Sequence, residues 1–167
     1  VSGSIGGSDF GEIPVELGKL TASTLCNQIA MPPSEFALQT CNDRAYILQD
    51  FTTDKNKILK ALTPVTAGGG NDFVEHLLNK LAGLLNVAKY GKFKKVAVLY
   101  TDAWWDALQP SELQACLDTC KKYNIEFYAV IYSRKEAEPN GIKASLQQLA
   151  NQTGGYLYEI GRASCRE

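Results

Sequence analysis

Three segments of the chain gather side chains that could bind an ion. The first, Val1-Ser2-Gly3-Ser4-Ile5-Gly6-Gly7-Ser8, sets hydroxyls and glycines ahead of a helical stretch. The second, Ala67-Gly68-Gly69-Gly70-Asn71-Asp72-Phe73-Val74-Glu75, also leads into a helix and carries two acids. The third, Val96-Ala97-Val98-Leu99-Tyr100-Thr101-Asp102-Ala103, is an apolar run that ends in an acid. Hydroxyls and carboxylates together make an all-oxygen donor set. Such a set suits a hard cation, above all Mg²⁺, which wants octahedral oxygen and keeps several waters. Serine hydroxyls add no charge. One or two carboxylates hold the ion without neutralising it, so its remaining position attracts a carboxylate from elsewhere.

None of these groups forms a nucleophile–base pair. His76, the only histidine, lies one turn into a helix beside Glu75 and reads as a satisfied or solvated helix residue. The chain is therefore expected not to be an enzyme. A phosphate loop is the competing reading of Ser2-Gly3-Ser4-Ile5-Gly6-Gly7, because glycines before a helix bind anions. The segment lacks both the Gly-Lys-Ser/Thr ending and the dinucleotide spacing. A nucleotide-binding α/β enzyme or ATPase subunit stands as one alternative function. A structural domain with a degenerate, metal-free site stands as another. Trp104 and Trp105 follow the acid of the third segment, either as core packing or as exposed aromatics at a binding rim. The basic run Lys92 to Lys95 reads as solvated.

These segments need elements to position them, and 167 residues supply one domain with a sizeable core. Apolar residues recur at Ile13, Leu17, Leu20 and Thr24, with Leu25 and Ile29 widening the stripe, which predicts a helix over 9–29 capped by Ser8. Pro32-Pro33 closes that unit. Two short strands are expected over 36–41 and 45–51, and a helix over 54–62. Phe73, Leu77, Leu81 and Leu84 predict one strong helix over 72–88. Residues 96–100 read as a strand covered on both faces. A helix over 111–123 turns Leu113, Cys116, Leu117 and Cys120 inward. Then come a strand over 126–132, a helix over 142–151 closed by Thr153-Gly154-Gly155, and a strand from 156 to 159. The alternation predicts an α/β sandwich around a mostly parallel sheet. In such sheets ligands bind beyond the carboxyl ends of the strands, where the three segments fall.

Composition excludes other classes. The chain is 45% hydrophobic and 21% charged, with 17 Lys+Arg against 18 Asp+Glu. That balance gives no overall electrostatic reason to bind nucleic acid or an acidic membrane. No apolar run is long enough to span a bilayer, and no signal peptide is visible. Cys116 and Cys120 lie four apart on one helix face, too far for an undistorted disulfide, so buried thiols are expected. Pairing of Cys26 with Cys41 stays open.

The motifs resemble those of the von Willebrand factor A domain, the family that includes integrin I domains. Its metal-ion-dependent adhesion site (MIDAS) combines Asp-x-Ser-x-Ser, a polar or acidic residue after a Gly-rich loop, and an Asp in Thr-Asp-Gly. Val1-Ser2-Gly3-Ser4 supplies x-Ser-x-Ser, and Thr101-Asp102 supplies Thr-Asp. In the loop, Asn71 follows the glycines directly, whereas Asp72-Phe73-Val74-Glu75 is similar to an Asp-x-Pro-Glu pattern with Val for Pro. The second register is preferred, because carboxylates suit a hard cation better than an amide. Ala103 stands where the family has Gly. The resemblance implies a three-layer α/β/α sandwich with a Rossmann-like, mostly parallel sheet. It implies a metal site of Ser2, Ser4, Asp72, Glu75 and Asp102 for Mg²⁺, Mn²⁺ or Ca²⁺. It also implies an adhesion module, extracellular or at the cell surface, that captures an acidic residue of a protein partner from the matrix or a cell surface.

Two expectations concern the chain ends. The motif's first Asp and the first strand would precede Val1, so the domain over 1–159 is read as N-terminally truncated and its metal binding as weak. Residues 160–167, Ile-Gly-Arg-Ala-Ser-Cys-Arg-Glu, back-translate to a common sequencing adapter and are read as non-native.

Overall fold

The computed structural model describes residues 13–41, 44–66, 72–103, 106–132 and 141–160. Helix α1, Ile13–Gln28, is followed by strands β1, Phe36–Cys41, and β2, Ala45–Thr52, which pair antiparallel as a hairpin. Helix α2, Lys55–Leu62, starts at Asp54, whose carboxylate accepts from Asn56 N and caps the first turn. The buried stripe of α1 differs from the one expected. Val15, Ala22 and Cys26 are buried, whereas Leu20 is 61% exposed. Ala22 and Cys26 pack against Ile58 and Leu62 of α2, with Phe36, Leu38 and Tyr100 beside them. Small side chains on that face let the helix approach its neighbours closely, and a search for large apolar residues misses them.

The helix expected over 72–88 is two helices, α3, Phe73–Leu78, and α4, Leu84–Ala88. Asn79 makes the break. Its backbone ψ is 133°, and its Oδ1 accepts from both Leu81 N and Ala82 N at 2.9 Å. Asn86 Nδ2 then donates to the carbonyl of Leu78, whose helix partner Ala82 N is taken by the Asn79 side chain, and to the carbonyl of Asn79, which also accepts from Gly83 N. The turn carries Leu81 out to 84% exposure, off the face it was expected to share.

Strands β3, Lys95–Thr101, β4, Ile125–Tyr132, and β5, Leu157–Ile160, form a parallel sheet in that order. Helices α5, Pro110–Tyr123, and α6, Ile142–Thr153, are its crossovers. Asn124 ends α5 in the left-handed region at φ 54°, a conformation Asn tolerates. Among the described residues the hairpin and the parallel strands are separate sheets. One face of β3–β5 is sealed: Leu99, Phe127, Ala129 and Ile131 lie at 1% exposure or less, against Phe73, Leu77, Cys116, Leu146 and Leu149. The other face is only half covered, and Val96 is 45% exposed. β3 is thus buried on one face rather than on both. The chain is an α/β protein with a mostly parallel sheet. β5 runs one residue past Glu159.

Candidate metal centre

Asp102 follows the last residue of β3, at the carboxyl end of a parallel strand. Its side chain is 2% exposed. The preceding residue sets the turn: Thr101 Oγ1 accepts from Ala103 N at 3.1 Å. Ala103 adopts φ 55°, the left-handed conformation that favours glycine, and is 6% exposed. The backbone therefore turns sharply at the residue after the acid, as a Thr-Asp-Gly sequence would allow with less strain.

Asp72 and Glu75 are brought together by the first turn of α3. Asp72 is its N-cap, and Oδ1 accepts from Glu75 N at 3.0 Å. Glu75 Oε1 accepts from Asn79 Nδ2 at 2.7 Å and from Ala45 N at 3.3 Å, tying the helix to the start of β2. Each carboxylate has a structural task that the spacing of the motif did not reveal, and each keeps its second oxygen outside these bonds. Ser2, Ser4, Asn71 and the glycines of the second segment lie outside the described residues, as do Ser8, Trp104 and Trp105.

The described acids are hard oxygen donors, which fits Mg²⁺, Mn²⁺ or Ca²⁺ in chemical kind. Among the described residues no group of three or more His, Cys, Asp or Glu is close enough to hold a metal. Asp102, Asp72 and Glu75 are therefore not gathered into one three-carboxylate cluster, and a coordination sphere at Asp102 would need other oxygen donors.

His76 departs from its sequence reading. It is 1% exposed, and among the described residues neither ring nitrogen has a hydrogen-bond partner. Burial pushes its pKa well below the usual imidazole range, so the ring is neutral. It stacks on Phe73 with ring centres 6.2 Å apart, and buried Gln39 donates to its carbonyl. The residue is a core group, and sequence spacing gave no signal of that.

Cys26, Cys41, Cys116 and Cys120 are all buried, and no disulfide links them to one another. Cys26 and Cys41 belong to different apolar clusters. Burial raises the pKa of Cys116 and of Cys120 to about 12. A groove of about 380 Å³ runs between α5 and α6, lined by Leu108, Leu113, Leu117 and Ser145. It includes none of the predicted metal-site residues. No described helix is long and apolar enough to cross a membrane.

Comparison with known proteins agrees with this architecture. The model of the von Willebrand factor type A domain matches residues 1–164. No curated protein sequence matches the chain. Proximal thread matrix protein 1 from the mussel byssus is 18% identical, with a TM-score of 0.65 over 88% of this chain and 36% of that one. A second structure of the same mussel protein has a zinc-occupied MIDAS motif; it is 19% identical, with a TM-score of 0.63 over 86% of this chain and 36% of that one. The SpRpn10 VWA domain is 16% identical, with a TM-score of 0.63 over 90% of this chain and 77% of that one. These likenesses show the fold. With the family model covering nearly the whole length, the chain belongs to the von Willebrand factor type A domain family.

Proposed function

We propose that the chain is a divalent-metal-dependent module that captures an acidic residue of a protein partner. Domains of this family generally mediate protein–protein interaction rather than catalysis. The observation that carries the reading is the carboxylate of Asp102, held at 2% exposure at the carboxyl end of a parallel strand, where α/β sheets bind ligands. Ser2 and Ser4 would add neutral hydroxyl ligands, and Asp72 and Glu75 a second acidic contact, directly or through water. The bound ion would supply a Lewis-acidic position for a partner's carboxylate. The zinc-occupied motif of the mussel protein supports a divalent ion at the corresponding site. Adhesion of this kind would place the domain at the cell surface or outside the cell.

Calorimetric titration with Mg²⁺, Mn²⁺ and ATP tests the reading. Saturable heat with either cation and none with ATP supports it. Heat with ATP alone points to a nucleotide site, and no heat with any of them to a structural domain.

A further inference from the structure

The chain is nearly neutral as a whole, with 17 Lys+Arg against 18 Asp+Glu. Six of its seventeen basic residues nonetheless lie at one pole. Lys89, Lys92, Lys94 and Lys95 lie on the connection from α4 into β3, and Lys121 and Lys122 lie in the last turn of α5, just before β4. Because β3 and β4 run parallel with Lys95 opposite Ile125, both groups sit at the amino end of the sheet. Three of the side chains converge on Tyr123. Lys89 Nζ is 5.9 Å and Lys122 Nζ 5.2 Å from its ring centre, and Lys95 Nζ donates to its carbonyl. Two carboxylates oppose the cluster: Glu126, 2.9 Å from Lys94, and Glu35, 4.0 Å from Lys92. Exposed Asp118 lies one turn before Lys122 on α5, so six lysines less three acids leave an excess of three positive charges.

The same pole exposes apolar surface. Tyr90 is 69% and Phe93 65% exposed, interleaved with the lysines. Lys92, Lys94, Lys121 and Lys122 are exposed around them. Asp102 lies at the opposite end of β3, roughly 20 Å away at about 3.3 Å per residue.

We propose that this basic–aromatic pole docks on the surface of an anionic lipid bilayer. The described patch contains lysine and no arginine, so it offers diffuse point charges rather than planar forks that read individual phosphate or sulfate groups. Lysines near an anionic membrane surface each add binding free energy. Exposed aromatic rings gain nothing from a hydrophilic polyanion but settle at the headgroup boundary. The sequence reading of Lys92 to Lys95 as merely solvated omits the partner lysines of α5 and the aromatic exposure, which appear only once the chain is folded. The site is independent of the metal centre, so docking persists in chelator.

Co-sedimentation with phosphatidylcholine vesicles, with and without phosphatidylserine and in the presence of chelator, tests this. The chain should pellet only with the anionic vesicles, and less as salt rises. The double variant Lys92→Gln, Lys122→Gln should weaken partition about 25-fold, roughly fivefold per lysine at ~1 kcal/mol each. Phe93→Ser leaves the charge unchanged and should weaken it about tenfold through lost apolar burial. All three side chains are exposed, and matching thermal melts confirm that the variants fold. Equal pelleting with neutral vesicles, or none with either kind, overturns the proposal. So does Phe93→Ser binding like the parent while heparin competes, which would assign the pole to a soluble polyanion.

Discussion

Gly154 and Gly155 are adjacent, yet replacing each by alanine should have very different consequences. Gly154 ends α6 at φ 81°, and a Cβ there would meet nothing within 4 Å. Its replacement carries only the backbone penalty of the left-handed region, about 1–2 kcal/mol. At Gly155 a Cβ would fall 1.8 Å from the carbonyl oxygen of Phe127 and 2.6 Å from its carbonyl carbon. Those atoms belong to β4, the middle strand of the parallel sheet. Relief requires β4 and the entry to β5 to separate. That strains the hydrogen bonds from Ala129 N to Tyr156 O at 3.1 Å and from Gly155 N to Ala150 O at 3.0 Å. Overpacking of about 1–3 kcal/mol plus a lost buried hydrogen bond of about 1–3 kcal/mol gives roughly 2–6 kcal/mol. Equilibrium urea denaturation of both variants measures the difference. Gly154→Asn serves as a control, because Asn tolerates that conformation. If Gly155→Ala is within about 1 kcal/mol of the parent, or no worse than Gly154→Ala, the close approach of β4 to this turn is wrong.

Two further outcomes follow from groups near the candidate site. His76 is neutral when folded, but the unfolded chain protonates it near the ordinary value of 6.5. Its contribution is therefore complete above that pH and is lost as pH falls, by about 1.4 kcal/mol per unit, until the folded pKa is reached. The parent-minus-variant difference with His76→Leu, measured by urea denaturation across this range, should show a slope of one proton, and parallel profiles would refute a buried neutral ring. Ala103→Gly should relieve about 1–2 kcal/mol of left-handed strain against about 0.5–1 kcal/mol of lost chain entropy, for a net gain of about 0.5 kcal/mol in thermal unfolding. A clear loss would show that the methyl group packs better than its backbone suggests.

Periodicity located the elements but was weaker on their faces. The order of helices and strands was legible because each apolar run is bounded by a turn signal, such as Asp54 before α2 or Gly154 after α6. The stripe of α1 was misread because contact there is made by Val15, Ala22 and Cys26, whose small volumes give a weak signal. The break at Asn79 was hidden because Leu81 and Leu84 continue a helical spacing while the side chain of Asn79 supplies a competing set of backbone partners. At the site, Asp102 was legible as an acid ending an apolar strand. The capping role of Asp72 and the tie from Glu75 to Ala45 were not, since the second depends on a strand 30 residues away. The basic pole was hidden by averaging, because its lysines come from two separate stretches of an almost neutral chain.

The proposed function requires Asp102 to hold a divalent cation. Electron paramagnetic resonance of free Mn²⁺, titrated with the chain and with Asp102→Asn, tests it most directly, because the amide keeps the shape of the side chain and removes only its charge. The parent chain should deplete the free-ion signal saturably, Mg²⁺ should reverse the depletion, and Asp102→Asn should weaken it at least about tenfold while melting as a folded protein. Equal depletion by the parent and Asp102→Asn would contradict it, and so would no depletion by either.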